Sequence, residues 1–241
     1  MAGNYGPQAS LDLTHVLYDD SSYFSLALAL VTLSPILLMP AYAVLAFQTR
    51  EYLVIMMWAG QLAGEVLNLA LKHTIKQSRP SYSAATGYGF PSSHSQYMGY
   101  FASFLILHLY FRHRFSTTGS QILDQAWRAT IYVALMSWAL AVAYSRFYLR
   151  YHSIAQILWG LGIGAFLGIS FYTVCELLPR RRPKSIFYAV KTCLVQNPVS
   201  TWLQIRDGWD VWADGGREAE WLRWRAEWDR RQIAAASKKA T

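Results

Sequence analysis

The chain has 241 residues, a formal net charge of +8 and 54% hydrophobic residues. Charged residues make up only 15%, well below the roughly one quarter that is usual in a soluble domain. This composition argues against a soluble globular protein. One domain is expected at this length, and the apolar residues are gathered in long blocks, which is typical of a membrane protein with several spans.

Five apolar runs approach the length of about 20 residues that a helix needs to cross a bilayer. They lie near residues 23–47, 51–75, 95–111, 128–147 and 154–178. We therefore predict an all-α fold, a polytopic membrane helical bundle of about five spans. The third run is marginal in length. Because of Pro35 and Pro40, the first run could instead enter and leave the membrane on the same side. The N-terminus would then lie on the other side of the membrane.

The runs divide the chain into an N-terminal segment at 1–22, a transmembrane domain at 23–178 and a basic, Trp-rich tail at 179–241. Basic residues are concentrated in the tail and in the loop between the third and fourth runs. The positive-inside rule places both of these regions in the cytosol. With five spans, the N-terminus and the loops at 76–94 and 148–153 then face the lumen or the exterior.

A cationic cluster ends the second run. Lys72, Lys76 and Arg79 are four and three residues apart, so they share a helix face that Pro80 terminates. A polar stripe leads to this cluster along the same face: Gln61, Glu65, Asn68 and Lys72. Polar side chains at membrane depth turn toward the bundle interior, so the stripe is either internal packing or a means for Glu65 to orient Lys72. For Lys72 alone, the alternative is an anchor that snorkels to the membrane surface.

A second cluster begins the third span at Pro91-Ser92-Ser93-His94. Proline followed by serines is a strong helix start. The first backbone N–H groups and the positive end of the helix dipole would form an anion site there. A histidine in the first turn is more often a cap or a solvent contact, but beside a cationic cluster His94 is a candidate general acid.

A third cluster joins the fourth and fifth spans and contains Arg146, His152 and Gln156. His152 and Gln156 are four residues apart at a helix start, so the amide oxygen can accept from one imidazole N–H. The other nitrogen is then free to attack. The predicted topology brings this loop to the same membrane face as residues 72–94. Two histidines and at least three cations there suit attack on phosphorus, with fixed cations in place of Mg²⁺.

Three motifs resemble the signature of the type 2 phosphatidic acid phosphatase and vanadium haloperoxidase superfamily. They are Lys72-x6-Arg79-Pro80, Pro91-Ser92-Ser93-His94 and Ser145-Arg146-x5-His152-x3-Gln156, in this order over about 85 residues. The resemblance implies a helical bundle with metal-independent phosphatase chemistry and no cofactor.

The resemblance also implies a role for each matching residue. His152 is the nucleophile that forms a phosphohistidine, Gln156 orients it, and His94 protonates the leaving group. The groups that hold the phosphoryl oxygens are Lys72, Arg79, Ser92, the backbone at Ser93, and Arg146. No metal ligands are implied.

Two positions depart from the usual motif of the superfamily. Ser93 replaces a glycine, which leaves less room for the backbone to approach a phosphate. Gln156 replaces an aspartate, and its neutral amide stabilises the imidazolium less than a carboxylate would. Both departures resemble the dolichyl-diphosphatase branch, which removes one phosphate from dolichyl diphosphate on the lumenal side of the endoplasmic reticulum and recycles the carrier for N-glycosylation. The alternatives are a phosphatase for phosphatidate or sphingoid base phosphates, and a non-catalytic membrane scaffold.

The tail contains two aromatic stripes with spacings of three and four residues. They are Trp202, Ile205, Trp209 and Trp212, then Trp221, Trp224 and Trp228. Either a pair of amphipathic helices at the interface or packing under the bundle explains them. The tail carries most of the net positive charge, which predicts affinity for the bilayer and no nucleic-acid partner. Lys238 and Lys239 resemble a di-lysine retrieval signal, which is read from the cytosol and predicts residence in the endoplasmic reticulum.

Overall fold

The computed structural model describes residues 8–11, 16–83 and 85–240, which are predominantly helical. An antiparallel pair of strands comes first, β1 (Gln8–Leu11) and β2 (Val16–Asp19). The helices that follow are α1 (Tyr23–Val31), α2 (Ser34–Thr49), α3 (Tyr52–Ile75), α4 (Ser93–Phe111), α5 (Gln121–Tyr148), α6 (Ile154–Tyr172), α7 (Leu178–Arg181), α8 (Ile186–Gln196), α9 (Pro198–Trp202), α10 (Gly208–Val211) and α11 (Arg217–Ala240). A π-helical turn, Thr173–Leu177, joins α6 to α7. The prediction of an all-α bundle is confirmed.

Four helical segments of the described chain are long and apolar enough to cross a membrane: Tyr23–Thr49, Tyr52–Ile75, Gln121–Tyr148 and Ile154–Arg181. They correspond to the first, second, fourth and fifth predicted spans. The first segment combines α1 and α2, which are separated by Thr32 and Leu33 just before Pro35. The chain is therefore a multi-pass membrane protein.

The third predicted span, 95–111, is less apolar than the other four. It coincides with α4, which has 19 residues but is not apolar enough to count among the candidate spans. Ten of these residues are buried, because α4 packs against α3, α5 and α6. A helix enclosed by other helices needs no apolar surface for lipid, which explains its weak hydropathy.

Glycines let α4 and α6 pack backbone against backbone. A Cβ at Gly160 would lie 2.6 Å from the Ser92 carbonyl oxygen, and one at Gly168 would lie 2.7 Å from that of Tyr100. Only glycine permits such close contact between helices. Because both contact positions advance together along the chain, α4 and α6 are parallel, and their N-termini lie at the same end of the bundle.

α3 runs in the opposite direction along α4. The Asn68 side-chain amide donates to Gln96 Oε1 (2.9 Å) near the start of α4, and the Tyr100 hydroxyl donates to the Met57 carbonyl oxygen (3.0 Å) one turn later. The polar stripe of α3 faces the bundle interior as predicted, since Gln61 and Asn68 are each 1% exposed.

The tail packs under the far end of the bundle, where α4 ends. Trp209 lies edge to face against His108 of α4, with ring centroids 4.7 Å apart. The first aromatic stripe does not form one helix, because α9 ends at Trp202 and α10 begins only at Gly208. Of the two predicted alternatives for this stripe, packing under the bundle is the one observed. The conformation of this segment is determined by its packing under the bundle. The second stripe does lie on one helix, α11.

Parts of two predictions fall on positions that the structure does not describe. Residues 1–7 and 12–15 of the predicted N-terminal segment lie outside the described residues, as does Thr241, the last residue of the di-lysine pattern.

Candidate active site

Two helix ends and two helix starts meet at one end of the bundle. α3 and α5 end there, and α4 and α6 begin there. Hydrogen bonds join the connecting loops, from the Ser92 N–H to the Gln156 carbonyl oxygen (3.1 Å) and from Arg79 Nη1 to the Tyr151 carbonyl oxygen (3.0 Å). This end holds the residues singled out from the sequence: Lys72, Arg79, Ser92, Ser93, His94, Arg146, His152 and Gln156.

The imidazole of His152 is held at both ring nitrogens. Nδ1 lies 3.2 Å from Gln156 Oε1, and Nε2 lies 3.4 Å from Arg79 Nη1. The Gln156 amide nitrogen donates to the Ser78 carbonyl oxygen (3.1 Å), which fixes the orientation of the amide. Because the amide oxygen only accepts and the guanidinium only donates, Nδ1 carries the proton and Nε2 presents its lone pair.

His152 is a neutral imidazole in this environment. Burial, and next the positive charges of Arg146 and Arg79, lower the pKa of His152 from 6.5 to about 3. The hydrogen bond to Gln156 acts in the opposite direction. A neutral imidazole keeps the lone pair that a nucleophile needs, so His152 retains it at every pH near neutrality.

Arg146 is a buried cation that is oriented by an aromatic ring. It is 5% exposed, and its Cζ lies 3.9 Å from the centroid of the Tyr151 ring. Its Nη1 donates to Thr32 Oγ1 (3.4 Å), and that hydroxyl lies 2.7 Å from Ser145 Oγ. Stacking on an aromatic face orients a guanidinium without cancelling its charge, so Arg146 remains available to an anion.

The first turns of α4 and α6 differ in their capping. In α6, Ser153 Oγ accepts from the Gln156 N–H (3.3 Å) and Gln156 Oε1 accepts from the Ser153 N–H (3.3 Å), which is a complete capping box. In α4, Ser92 makes no side-chain cap, and its Oγ instead accepts from Ser95 Oγ (3.0 Å). The uncapped turn of α4 therefore offers N–H groups and a positive dipole to an anion.

His94 joins the cationic site to an apolar wall. The charges of Lys72, Arg79 and Arg146 act on both His94 and His152. A pocket of about 290 Å³ beside His94 is lined by Pro35, Ile36, Met39, Glu65, Ser93, His94 and Tyr97. Within residues 8–11, 16–83 and 85–240, no three His, Cys, Asp or Glu side chains are placed together to hold a metal ion.

Two residues that the sequence did not single out help to build the site. A Cβ at Gly89 would lie 2.8 Å from Gln156 Nε2 and 3.0 Å from Arg79 Cγ, so only glycine lets this loop close over the amide. Tyr151 gives its ring to Arg146 and its carbonyl oxygen to Arg79. Its hydroxyl accepts from the Leu17 N–H of β2 (2.9 Å). Neither residue belongs to a helical spacing pattern, so no signal in the sequence marked it.

Both the sequence and the fold of this chain match those of known proteins. Residues 50–180 match the PAP2 superfamily, and the chain belongs to that superfamily. A crystal structure of a transmembrane PAP2 type phosphatidylglycerolphosphate phosphatase from Bacillus subtilis has the same fold, with a TM-score of 0.53. The two chains are 19% identical, and the match covers 65% of this chain and 78% of that one.

More similar relatives are named dolichyldiphosphatase. "Dolichyldiphosphatase 1" of Homo sapiens is 33% identical to this chain over 77% of the chain and 82% of the relative. "Dolichyldiphosphatase" of Saccharomyces cerevisiae is 32% identical over 69% of this chain and 70% of the relative.

Proposed function

We propose that this protein hydrolyses dolichyl diphosphate to dolichyl phosphate and inorganic phosphate, and so recycles the lipid carrier of protein N-glycosylation. The names of its relatives support the substrate. The observation that carries the chemistry is the buried imidazole of His152, which is fixed by Gln156 and Arg79 with Nε2 unprotonated.

The reaction proceeds through a phosphohistidine. The lone pair of His152 Nε2 attacks the terminal phosphorus, a phosphorus–nitrogen bond forms, and the anhydride phosphorus–oxygen bond breaks. The negative charge of the bound diphosphate offsets the surrounding cations and favours protonation of His94, which then donates its proton to the departing oxygen of dolichyl phosphate. Water then attacks the phosphohistidine and gives a proton to His94, which releases inorganic phosphate and regenerates His152.

Fixed positive groups stabilise the charge that develops on the phosphoryl oxygens. Lys72, Arg79 and Arg146 supply the cations. The backbone N–H of Ser93 and the hydroxyl of Ser92 donate from the uncapped turn of α4, since Ser92 Oγ accepts from Ser95 and keeps its own proton. When a phosphoryl oxygen binds Arg79, the guanidinium is drawn from His152 Nε2, and the lone pair is exposed to phosphorus.

The lipid chain leaves the site along the pocket beside His94. Its wall on α2 consists of Pro35, Ile36 and Met39, which are apolar and suit an isoprenoid. The leaving oxygen joins the terminal phosphorus to the inner phosphate, which carries this chain, so the position of His94 between the cations and the α2 wall suits a general acid.

We place the protein in the endoplasmic reticulum, with the active site in the lumen and the C-terminus in the cytosol. The parallel arrangement of α4 and α6 supports one shared face for both histidine loops, and the basic tail lies at the opposite end. Protease added to sealed microsomes should remove a C-terminal epitope without detergent. A protected epitope would place the histidines in the cytosol.

Phosphate release by the purified protein tests the function. Dolichyl diphosphate should be cleaved faster than dolichyl phosphate, phosphatidate or a sphingoid base phosphate, and activity should survive EDTA because cations of the protein itself hold the phosphate. Vanadate should inhibit, since its five-coordinate form resembles the transition state. Preference for phosphatidate would reject the substrate, and loss of activity in EDTA with recovery in Mg²⁺ would reject the mechanism.

A further inference from the structure

A second cavity, of about 490 Å³, lies at the end of the bundle opposite to the histidines of the active site. Its volume is in the range of about 300–1,000 Å³ that is usual for small-molecule sites. The buried residues of its wall are Tyr42, Glu51, Leu53, Met57, Phe101, His108 and Gly215. The cavity extends outward to the exposed residues Arg217 and Glu220 of α11.

Two side chains in the wall have polar atoms without hydrogen bonds. Tyr42 is 4% exposed and His108 is 2% exposed. Within the described residues, neither the Tyr42 hydroxyl nor either ring nitrogen of His108 has a hydrogen-bond partner. The edge-to-face contact of His108 with Trp209 cannot serve both nitrogens. Buried polar groups are unfavourable unless they are hydrogen-bonded, so these atoms indicate that the cavity accommodates a polar group.

The charges around the cavity favour an uncharged ligand. Arg206 Nε is paired with Glu51 Oε1 at 2.7 Å, and Arg217 and Glu220 contribute one charge of each sign. A phosphate would therefore meet no excess of positive charge. A neutral imidazole offers one donor and one acceptor on different sides of its ring. A ligand hydroxyl is uncharged and both donates and accepts, so it can pair with either nitrogen.

We propose that this cavity binds a long-chain lipid alcohol, with its hydroxyl hydrogen-bonded to His108 and Tyr42. The chain packs against apolar side chains of α2 and α4, among them Leu38, Leu45 and Leu105. The site is separate from the phosphatase site and independent of its reaction. It gives the protein a second lipid-binding function, at the end of the bundle where the tail packs.

Photolabelling of the full-length protein in detergent tests this site. The probe is hexadecanol with a diazirine in mid-chain, and the comparison probes are its methyl ether and its phosphate monoester. Labelled residues should lie in the parts of α2 and α4 that line this cavity, such as Leu45 and Leu105, and not in the parts that line the pocket beside His94. Unlabelled hexadecanol should compete. Tyr42→Phe and His108→Leu should each weaken alcohol binding by about threefold to tenfold, the range expected for one neutral hydrogen bond.

Tyr172→Phe is the matched control. The Tyr172 hydroxyl is also buried and has no hydrogen-bond partner within the described residues, but Tyr172 does not line this cavity. Its labelling should equal that of the unchanged protein. Three results at the residues of this cavity would overturn the proposal: equal labelling by the ether and the alcohol, stronger labelling by the phosphate than by the alcohol, or undiminished labelling of folded Tyr42→Phe. Tyr42→Phe removes a single oxygen atom, so the test holds even if His108→Leu does not fold.

Discussion

The two ends of the helical bundle differ in how their cations are paired. At the tail end, cations are paired with carboxylates, and the pairs are Arg112–Glu176, Arg112–Asp210, Lys191–Glu176, Lys191–Asp207 and Arg206–Glu51. At the histidine end, Lys72, Arg79 and Arg146 enter none of the salt bridges found within the described residues.

This difference distinguishes cations that stabilise the fold from cations that bind a ligand. A buried cation with a carboxylate partner holds two segments together, and removal of one partner leaves the other uncompensated. A buried cation without such a partner is unfavourable for folding, and it is typical of a site whose partner is a ligand. Glu65 contributes a negative charge near Lys72 but forms no salt bridge there within the described residues. We infer that the histidine end is organised around an anionic ligand.

The largest expected effect is at His152. His152→Ala should lower turnover by more than about 10³-fold, because the replacement removes the nucleophile on which the covalent path depends. Steady-state phosphate release with dolichyl diphosphate measures it. His73→Gln is the control, since His73 is exposed on the same membrane face, and it should keep full activity. Activity of His152→Ala within about tenfold of the unchanged protein would exclude a phosphohistidine.

Matched arginine substitutions test the comparison of the two ends. Arg146→Gln should lower kcat/KM by about 10²–10³-fold without lowering the melting temperature, because no carboxylate loses its partner. Arg112→Gln should keep kcat/KM per folded molecule but lose about 3 kcal/mol of stability, the lower end of the range for opening a buried pair, since Glu176 keeps Lys191. Kinetics and thermal unfolding in detergent measure both, and the opposite pattern would contradict the comparison.

Substitutions at Tyr151 test whether its ring positions Arg146, because they leave the charge of Arg146 unchanged. Tyr151→Leu removes the ring beneath Arg146 and should raise KM and the vanadate inhibition constant by about 3–30-fold, the range of a partly buried cation–π contact. Tyr151→Phe keeps the ring and removes only the acceptor of the Leu17 N–H, so its effect should be about fivefold or less. Equal effects of both substitutions would mean that the ring does not position Arg146.

The smallest expected effect is a change of pH dependence at Gln156. Gln156→Glu keeps the length of the side chain and places a negative charge beside His152 Nδ1, which favours the imidazolium and raises the pKa of His152. The lone pair is then lost at a higher pH, so the acidic limb of kcat/KM should move upward while the protein stays folded and active. An unchanged pH profile would mean that residue 156 does not contact the nucleophile.

Much of the site follows from local spacing. The four-residue separation of His152 and Gln156 places both on one side of a helix start, and the structure has their hydrogen bond at 3.2 Å. The stripe of α3 was likewise readable, because polar residues of a membrane helix turn away from lipid. The contacts of Gly89 and Tyr151 were not readable, since both lie in loops whose partners are distant in the sequence.

The helical class, four of the spans and the order of the three motifs follow from the sequence, because hydropathy and helical periodicity are properties of neighbouring residues. Three features emerge only from the folded chain: α4 is enclosed, Trp209 packs against His108, and Tyr151 lies under Arg146. These features depend on the contact of segments far apart in the chain, where close packing of whole helices overrides local propensity.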